Sequence, residues 1–324
     1  MTVAATNLDQ LGALLGSEHL RTEETACESF AADGVAPAAV VEPADAKELG
    51  EVVAWARAHQ AALVPVTSGA YLPLGNPPTR VDVAISLGRL NRILHYDPAD
   101  LTLGAEAGLP LARVQEVLAE NNLFLPADPP YAERAALGGL LATNASGPLR
   151  YAYGTWRDFV VGMGFISGEG KQVKTGGRVV KNVAGYDLSK LLIGSLGTLG
   201  VVTEVNFKCF PQPPATASFV FAFAEAARAL ELRDAIVHSA WQPLSLDLLD
   251  PGAAKLLALA SLSPDHWSLV VTVGGVDKVI RRYADDFSAL ARERAAAAFG
   301  VVRDEAERAL RSAVRELIPR ARQA

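Results

Sequence analysis

Between Ala38 and Val66 the hydrophobic positions change period twice, and each change predicts an element. Ala38 to Val41 is an apolar run that reads as a strand. Leu49, Val52, Val53 and Ala56 then recur at helical spacing, with Lys47, Glu48, Glu51 and Arg57 on the opposite face. Asp45 stands near the start of this helix, where an anion suits the exposed amides, and the helix is expected to end near His59 and Gln60. Ala62 to Val66 resumes a strand pattern, giving a strand–helix–strand unit with a right-handed crossover. Further strands are predicted over Val81–Leu87 and Leu101–Glu106. Leu111, Val114, Val117 and Leu118 mark an amphipathic helix that closes at Asn121 and Asn122. Leu123–Pro130 (LFLPADPP) reads as a proline-set turn. Alternation is cleanest from Val201 to Cys209, where Val201, Thr203, Val205, Phe207 and Cys209 point one way and Val202, Glu204, Asn206 and Lys208 the other. That pattern implies a strand with one wetter face, as antiparallel or mixed sheets allow.

Pro211, Pro213 and Pro214 break the alternation and set a domain boundary. Beyond it, strands over Ser218–Ala224, Pro243–Leu249 and Trp267–Val273 alternate with helices over Glu225–His238, Pro251–Ala260 and Val276–Phe299, the pattern of a small α+β domain. In the tail, Arg303, Arg308, Arg311, Arg315, Arg320 and Arg322 interleave with Asp304, Glu305, Glu307 and Glu316. It reads as a solvated or partner-facing helix. The expected organisation is an N-terminal segment (1–34), an α/β domain (35–213) and a C-terminal α+β domain (214–324).

Three stretches bring small residues to places where a ligand can approach backbone. Thr67-Ser68-Gly69-Ala70-Tyr71-Leu72 lies directly beyond a strand, so it forms either a nest of N–H groups for a phosphate or a plain connecting loop. It contains neither GxGxxG nor GxxxxGK[ST], which excludes the Rossmann and P-loop forms of such a site. Leu137-Gly138-Gly139 opens a second loop of small residues that continues through Ala142, Thr143, Asn144, Ser146 and Gly147. In the third stretch Gly194, Gly197 and Gly200 are three apart between a short amphipathic helix and the alternating strand. Backbone there passes close either to a cofactor or to a tightly packed helix and strand.

A chain of 324 residues is expected to fold as two domains. A formal net charge of −6 with no basic block disfavours nucleic-acid binding. The first twenty residues lack a basic start and a long apolar run, and no stretch has the length of a spanning helix, so cytoplasmic residence is expected. Cys27 and Cys209 form no CxxC pair, which disfavours a disulfide framework and leaves too few thiolates for an iron–sulfur cluster. The five histidines are scattered, and no metal site is expected.

The strings LGGLLATNASGPLRYAYGTWRDFVVG and GGRVVKNVAGYDLSKLLIGSLGTLGVVTEV resemble the FAD-binding domain of the vanillyl-alcohol oxidase, or PCMH-type, flavoproteins. The likeness runs from about Val35 to Pro214. Most narrowly it is to the FAD-binding E subunits of bacterial glycolate oxidases, because GSLGTLG carries Leu196 where catalytic-subunit relatives have Glu. The resemblance implies an α/β (α+β) fold in which two subdomains clasp an extended, noncovalent FAD, followed by a small α+β cap over the flavin ring. Thr67, Ser68, Gly69, Ala70, Tyr71 and Leu72 would form the pyrophosphate loop, and Pro126, Asp128 and Pro129 would lie along the flavin. Leu137, Gly138, Gly139, Ser146 and Gly147 would line a second wall, while Gly200 and Val202 would meet the cofactor through backbone. Tyr71 departs from the family's small residues in this loop, and the family's FDPxxxxNPG-like ending is absent.

The implied function is an FAD-binding subunit of a glycolate or other 2-hydroxy-acid oxidase or dehydrogenase complex. Its partners would be a catalytic flavoprotein subunit and an iron–sulfur subunit, through which it would associate with a membrane if at all. A self-sufficient FAD-dependent 2-hydroxy-acid dehydrogenase and a flavin-less structural subunit are the alternatives. Arg150, Arg157, Arg178 and Lys181 are candidates to clamp a substrate carboxylate, with Tyr153 and Tyr186 as hydrogen-bond donors. None has a convincing base beside it, and no catalytic residue is assigned.

Overall fold

The computed structural model describes residues 5–177 and 187–322. Backbone contacts divide them into two units: the described parts of Met1–Leu125, Ala132–Ala145 and Trp156–Phe210, and those of Pro126–Tyr131, Ser146–Thr155 and Pro211–Ala324.

The first unit holds two sheets. One contains β1 (Leu20–Arg21), β2 (Ala39–Val41), β3 (Leu63–Val66) and β4 (Val83–Ser86) in the order β1-β2-β4-β3, with β2 and β3 both parallel to β4. Helix α1 (Ala46–His59) connects β2 to β3. Asp45 caps it by accepting from the amides of Lys47 and Glu48, and Gln60 closes it in the left-handed conformation. Val40, Val66 and Ala84 pack together, so this sheet is a layer of the core. The second sheet is antiparallel: β5 (Ile93–Asp97), β6 (Thr102–Glu106), β7 (Val160–Ser167), β8 (Gln172–Gly176) and β9 (Gly200–Lys208), in the order β5-β6-β9-β7-β8. The alternation expected for β9 holds from Thr203 on: Thr203, Val205 and Phe207 are buried with Val201, and Glu204, Asn206 and Lys208 keep some solvent contact, but Val202, expected on the wetter face, is buried beside a register shift. Trp156 is fully buried beside Phe159 and Phe207, and its indole nitrogen donates to the Ala145 carbonyl at 2.7 Å. Burial of each such ring contributes about 1.5–3 kcal/mol.

Helix α2 (Leu111–Ala119) ends as expected near Asn122, whose φ is +54°. Helix α3 (Leu137–Thr143) corrects the loop expected at Gly138 and Gly139. The amides of Leu137 and Gly138 are bonded to the carbonyls of Leu109 and Ala107, so tertiary contacts fix the first turn despite two glycines. Helix α4 (Leu188–Leu192) follows residues 178–186, which lie outside the described residues.

The second unit contains β10 (Ala215–Phe223), β11 (Ser245–Leu249), β12 (Trp267–Gly275) and β13 (Ala298–Arg303) in an antiparallel sheet of order β11-β12-β10-β13. Ala217, Phe219, Phe221 and Phe223 of β10 face helices α5 (Ala226–Val237) and α7 (Asp277–Glu293). Val220, on the other face, packs toward α6 (Pro251–Leu257) and α8 (Asp304–Arg315). Both faces are covered, which explains why β10 reads as a continuous apolar run.

Two expectations are corrected here. The helix expected to reach Phe299 stops at Glu293, and Ala295 takes φ +53° before the chain enters edge strand β13. The charged tail is not merely solvated: Leu310 and Ala313 are buried against the sheet, and Glu307 is buried with them. Pro126–Tyr131 and Ser146–Thr155 join this unit although both lie inside the stretch read as the α/β domain. Leu149 N donates to the Asp128 carboxylate at 3.0 and 3.3 Å, and Tyr131 N donates to Glu316 Oε2 at 2.9 Å. Among the described residues, no helix is long and apolar enough to cross a membrane.

Candidate functional site

The first unit contains a cavity of about 360 Å³ directly beyond the end of β3. Thr67, Ser68, Gly69, Ala70, Tyr71 and Leu72 form one wall. The segment is a tight double turn, closed by Leu72 N to Gly69 O (3.2 Å) and Leu74 N to Tyr71 O (3.1 Å). Gly69 has φ +71°, which a side chain would strain. Among the described residues, the amides of Ser68, Gly69 and Ala70 donate no hydrogen bond within the chain. Three successive amides at a strand end are thus left without partners inside the chain.

The opposite wall comes from α3 and the segment after α4. Gly139, Ala142 and Thr143 share one face of α3 and line the cavity with Leu196, Gly197 and Thr198. Gly194 N donates to Leu141 O at 2.9 Å and Leu196 N to Ala142 O at 2.8 Å. The glycine-spaced segment therefore caps the C-terminal carbonyls of α3. A smaller recess of about 60 Å³, sharing Thr67, Gly139 and Leu196 with the cavity, is also lined by Gly138, Gly200 and Val202.

The glycines answer both readings raised for them. A Cβ on Gly200 would lie 2.7 Å from the Ile166 carbonyl, and one on Gly197, whose φ is +73°, would lie 3.1 Å from Pro65. Close packing alone requires these two. Gly139 is different: a Cβ there would crowd Thr67 Oγ1 at 3.1 Å, while the Tyr71 ring at 3.7 Å would be in ordinary contact, so its bare backbone spares the Thr67 side of the cavity wall. Leu137 does not line the cavity; it is fully buried.

Pro126, Asp128, Pro129, Ser146 and Gly147 belong to the second unit. A Cβ on Gly147 would overlap the Asp128 carbonyl oxygen, so this glycine is required by the approach of Asp128. Burial pushes the Asp128 carboxyl up to about 7, against the opposing effects of the Leu149 amide and Arg311. Asp247, also pushed up by burial, reaches about 6.

Of the carboxylate-clamp candidates, Arg157 donates to the Lys190 carbonyl at 2.6 Å and Arg150 is exposed in the second unit. Burial raises the Tyr153 hydroxyl above its ordinary range. Arg178, Lys181 and Tyr186 lie outside the described residues. The histidines make local contacts: His59 Nδ1 to Trp55 O, His238 Nδ1 to Asp234 O, and His266 Nδ1 to Ser263 Oγ, each 2.8 Å. Among the described residues, no group of His, Cys, Asp or Glu is placed to hold a metal ion.

Sequence reasoning brought Ala142, Thr143 and Gly197 near a ligand only as parts of small-residue stretches, and it missed Thr198. The available signal was the spacing Gly139, Ala142, Thr143, which places three small residues on one helical face.

A family model described as FAD binding domain matches residues 37–176. The chain is 45% identical over 148 residues to glycolate oxidase subunit GlcE of Escherichia coli, an alignment covering 45% of this chain and 41% of that protein. It is 31% identical over 214 residues to glycolate oxidase subunit GlcD of Bacillus subtilis, covering 66% and 46%. The chain thus spans less than half the length of these relatives. Among solved structures, an alkyldihydroxyacetonephosphate synthase aligns over 99% of this chain and 68% of its own with a TM-score of 0.80 at 22% identity. A p-cresol methylhydroxylase aligns over 91% and 65% with a TM-score of 0.78 at 17% identity. These likenesses show the fold.

Proposed function

We propose, from the match of residues 37–176 to the family model described as FAD binding domain, that the chain is the FAD-binding subunit of a glycolate or other 2-hydroxy-acid oxidase or dehydrogenase complex. It would pass electrons from the acid through flavin to a partner iron–sulfur subunit, alongside a catalytic flavoprotein subunit. The observation that carries this reading is the first-unit cavity, with its unpartnered amides at Ser68, Gly69 and Ala70. Those amides suit the pyrophosphate, and Gly139 keeps a Cβ out of the cavity wall beside Thr67. Bound FAD would supply two-electron oxidation of an alcohol and release of the electrons to a partner. The loop Thr67–Leu72 offers neither His nor Cys, which favours noncovalent attachment.

Tyr71, the residue that departs from the family's small-residue loop, is accommodated beside Gly139. That arrangement favours a flavin-binding subunit over a flavin-less one. Relatives named as glycolate oxidase subunits and as D-lactate and D-2-hydroxyglutarate dehydrogenases support a 2-hydroxy acid as substrate. The chain's two cysteines are both buried, which supports placing a cluster on a partner.

The test is a visible absorbance spectrum of the purified chain and an FAD titration followed by flavin fluorescence. Flavin bands or saturable binding are expected. Gly139→Val, which fills the cavity wall beside Thr67 and Tyr71, should lower FAD affinity at least about tenfold with unchanged far-UV circular dichroism. Colourless wild-type protein that takes up no FAD would overturn the proposal.

A further inference from the structure

We propose that Asp128, on the strap Pro126–Tyr131, and Asp247, on β11, share one proton beside the guanidinium of Arg311, and that loss of this proton lifts the strap while the sheet beneath it stays folded. All three residues belong to the second unit. They line one narrow space of about 10 Å³ together with Ser245, Thr272 and apolar side chains such as Val270 and Leu310. A space of that size admits about one water molecule, too few to hydrate two carboxylates.

The charges around that space do not balance. Arg311 is the counter-ion of Glu307, which is buried on α8 with its Oε1 3.7 Å from Arg311 Nη1. Arg315 donates to Glu316 at 3.1 Å, and Glu316 also accepts from Tyr131 N. Arg308 is exposed, on an open cavity of about 230 Å³ that Asp128 also lines. Burial keeps Tyr153, on the segment beside β11, neutral, and β12 contributes Val270 and Thr272, which carry no charge. With every carboxyl ionised, one guanidinium would face Glu307, Asp128 and Asp247 together. One proton held between the two aspartates removes one of the uncompensated charges. Burial accordingly pushes Asp128 up to about 7 and Asp247 to about 6, and at Asp128 it outweighs the Leu149 amide and Arg311 while the Asp247 charge adds to it.

The strap is built to respond as one piece. Leu149 N donates to the Asp128 carboxylate at 3.0 Å, and Gly147 lies so close that a Cβ would overlap the Asp128 carbonyl oxygen, so Pro126–Tyr131 and Ser146–Thr155 are joined to each other. Neither contact ties the pair to the sheet. Tyr131 N on Glu316, at 2.9 Å, is a tether about which it can lift. The closed strap holds a proton that an open one, near the ordinary value of 3.8, releases. Closure is therefore strongest below about pH 4 and is lost as pH rises through about 6 to 7.

Hydrogen exchange read by mass spectrometry on the full chain, from about pH 4.5 to about pH 8.5 and corrected for the intrinsic pH dependence of exchange, tests the latch. Peptides carrying the amides of Tyr131 and Leu149 should exchange at least about tenfold faster at pH 8 than at pH 5, levelling off above about pH 7, while peptides of β12 stay more protected at every pH. Asp128→Asn should abolish most of that rise. Asp247→Asn should move its midpoint to lower pH, because Asp128 then meets no second aspartate. The wild-type profile needs no variant, so the test stands even if one of them folds poorly. No rise, strap peptides as protected as β12 at pH 8, a rise undiminished in Asp128→Asn, or a midpoint unmoved in Asp247→Asn would overturn the proposal. FAD uptake is read in none of these arms, so failure here is distinct from failure of the function proposed above.

Discussion

Asp128→Asn should make the protein more stable at alkaline pH and leave it little changed in acid. The folded chain holds the Asp128 carboxyl at about 7 against an ordinary value of 3.8, chiefly through burial. Between those values the folded state keeps a proton that the unfolded state releases, so this group's contribution is fully present below about pH 4 and is lost as pH rises through about 7. About three pH units at about 1.36 kcal/mol each gives an upper limit of roughly 4 kcal/mol. Asp128 retains some solvent contact, which brings the expected effect to about 2 kcal/mol. Asparagine keeps an oxygen to accept from Leu149 N and carries no charge. Urea unfolding followed by circular dichroism at pH 4 and pH 8 is the assay. The variant should match the wild type at pH 4 and exceed it by about 2 kcal/mol at pH 8. Asp247, held at about 6 by burial, leaves a smaller slope of the same sign in both proteins. An unchanged difference between the two proteins at the two pH values would refute the reasoning.

Gly147→Ala should destabilise the second unit by about 3 kcal/mol or more, because the added methyl overlaps the Asp128 carbonyl; thermal melts would show it, and a melting temperature within a degree of wild type would contradict it. Both thiols should be silent to Ellman's reagent in the native protein and react once guanidinium unfolds it. Cys209 is fully buried with its thiol pushed up to about 12, and burial also raises Cys27. Rapid native labelling of Cys209 would contradict this.

The elements legible in the sequence were those whose pattern is set by a single buried face. Alternation marked β9 because Phe207 on one side meets Trp156 while Glu204, Asn206 and Lys208 on the other keep solvent contact, and helical spacing marked α1 because Asp45 and Gln60 also punctuate its ends. Strand β13 was hidden because, as an edge strand, it buries little beyond Val302 and follows a run of alanines that suits a helix. Strand β5, with its mixed Ile93-Leu94-His95-Tyr96-Asp97, is half-exposed and offers no clean period. Helix α3 was read as a loop because glycine is a poor helix former in isolation. The carbonyls of Ala107 and Leu109 that fix its first turn are remote in sequence. At the cavity, the loop beyond β3 was legible from its position after a strand, whereas the contribution of Ala142 and Thr143 depended on knowing that α3 is a helix. The arginines of α8 were visible as residues, but their shared cavity with Asp128 rests on a fold-back that no local pattern encodes.

That fold-back also bears on synthesis. Pro126–Tyr131 and Ser146–Thr155 leave the ribosome well before the strands and helices of Pro211–Ala324 with which they are grouped. The second unit is completed as a nascent chain only once α8 and Glu316, which accepts from Tyr131 N, emerge. A premature stop upstream of α8 would therefore do more than remove a C-terminal layer. It would leave two early segments, joined to each other through Leu149 N and Asp128, without the later strands and Glu316 they are grouped with, and would expose to proteolysis a stretch lying deep inside the first half of the message.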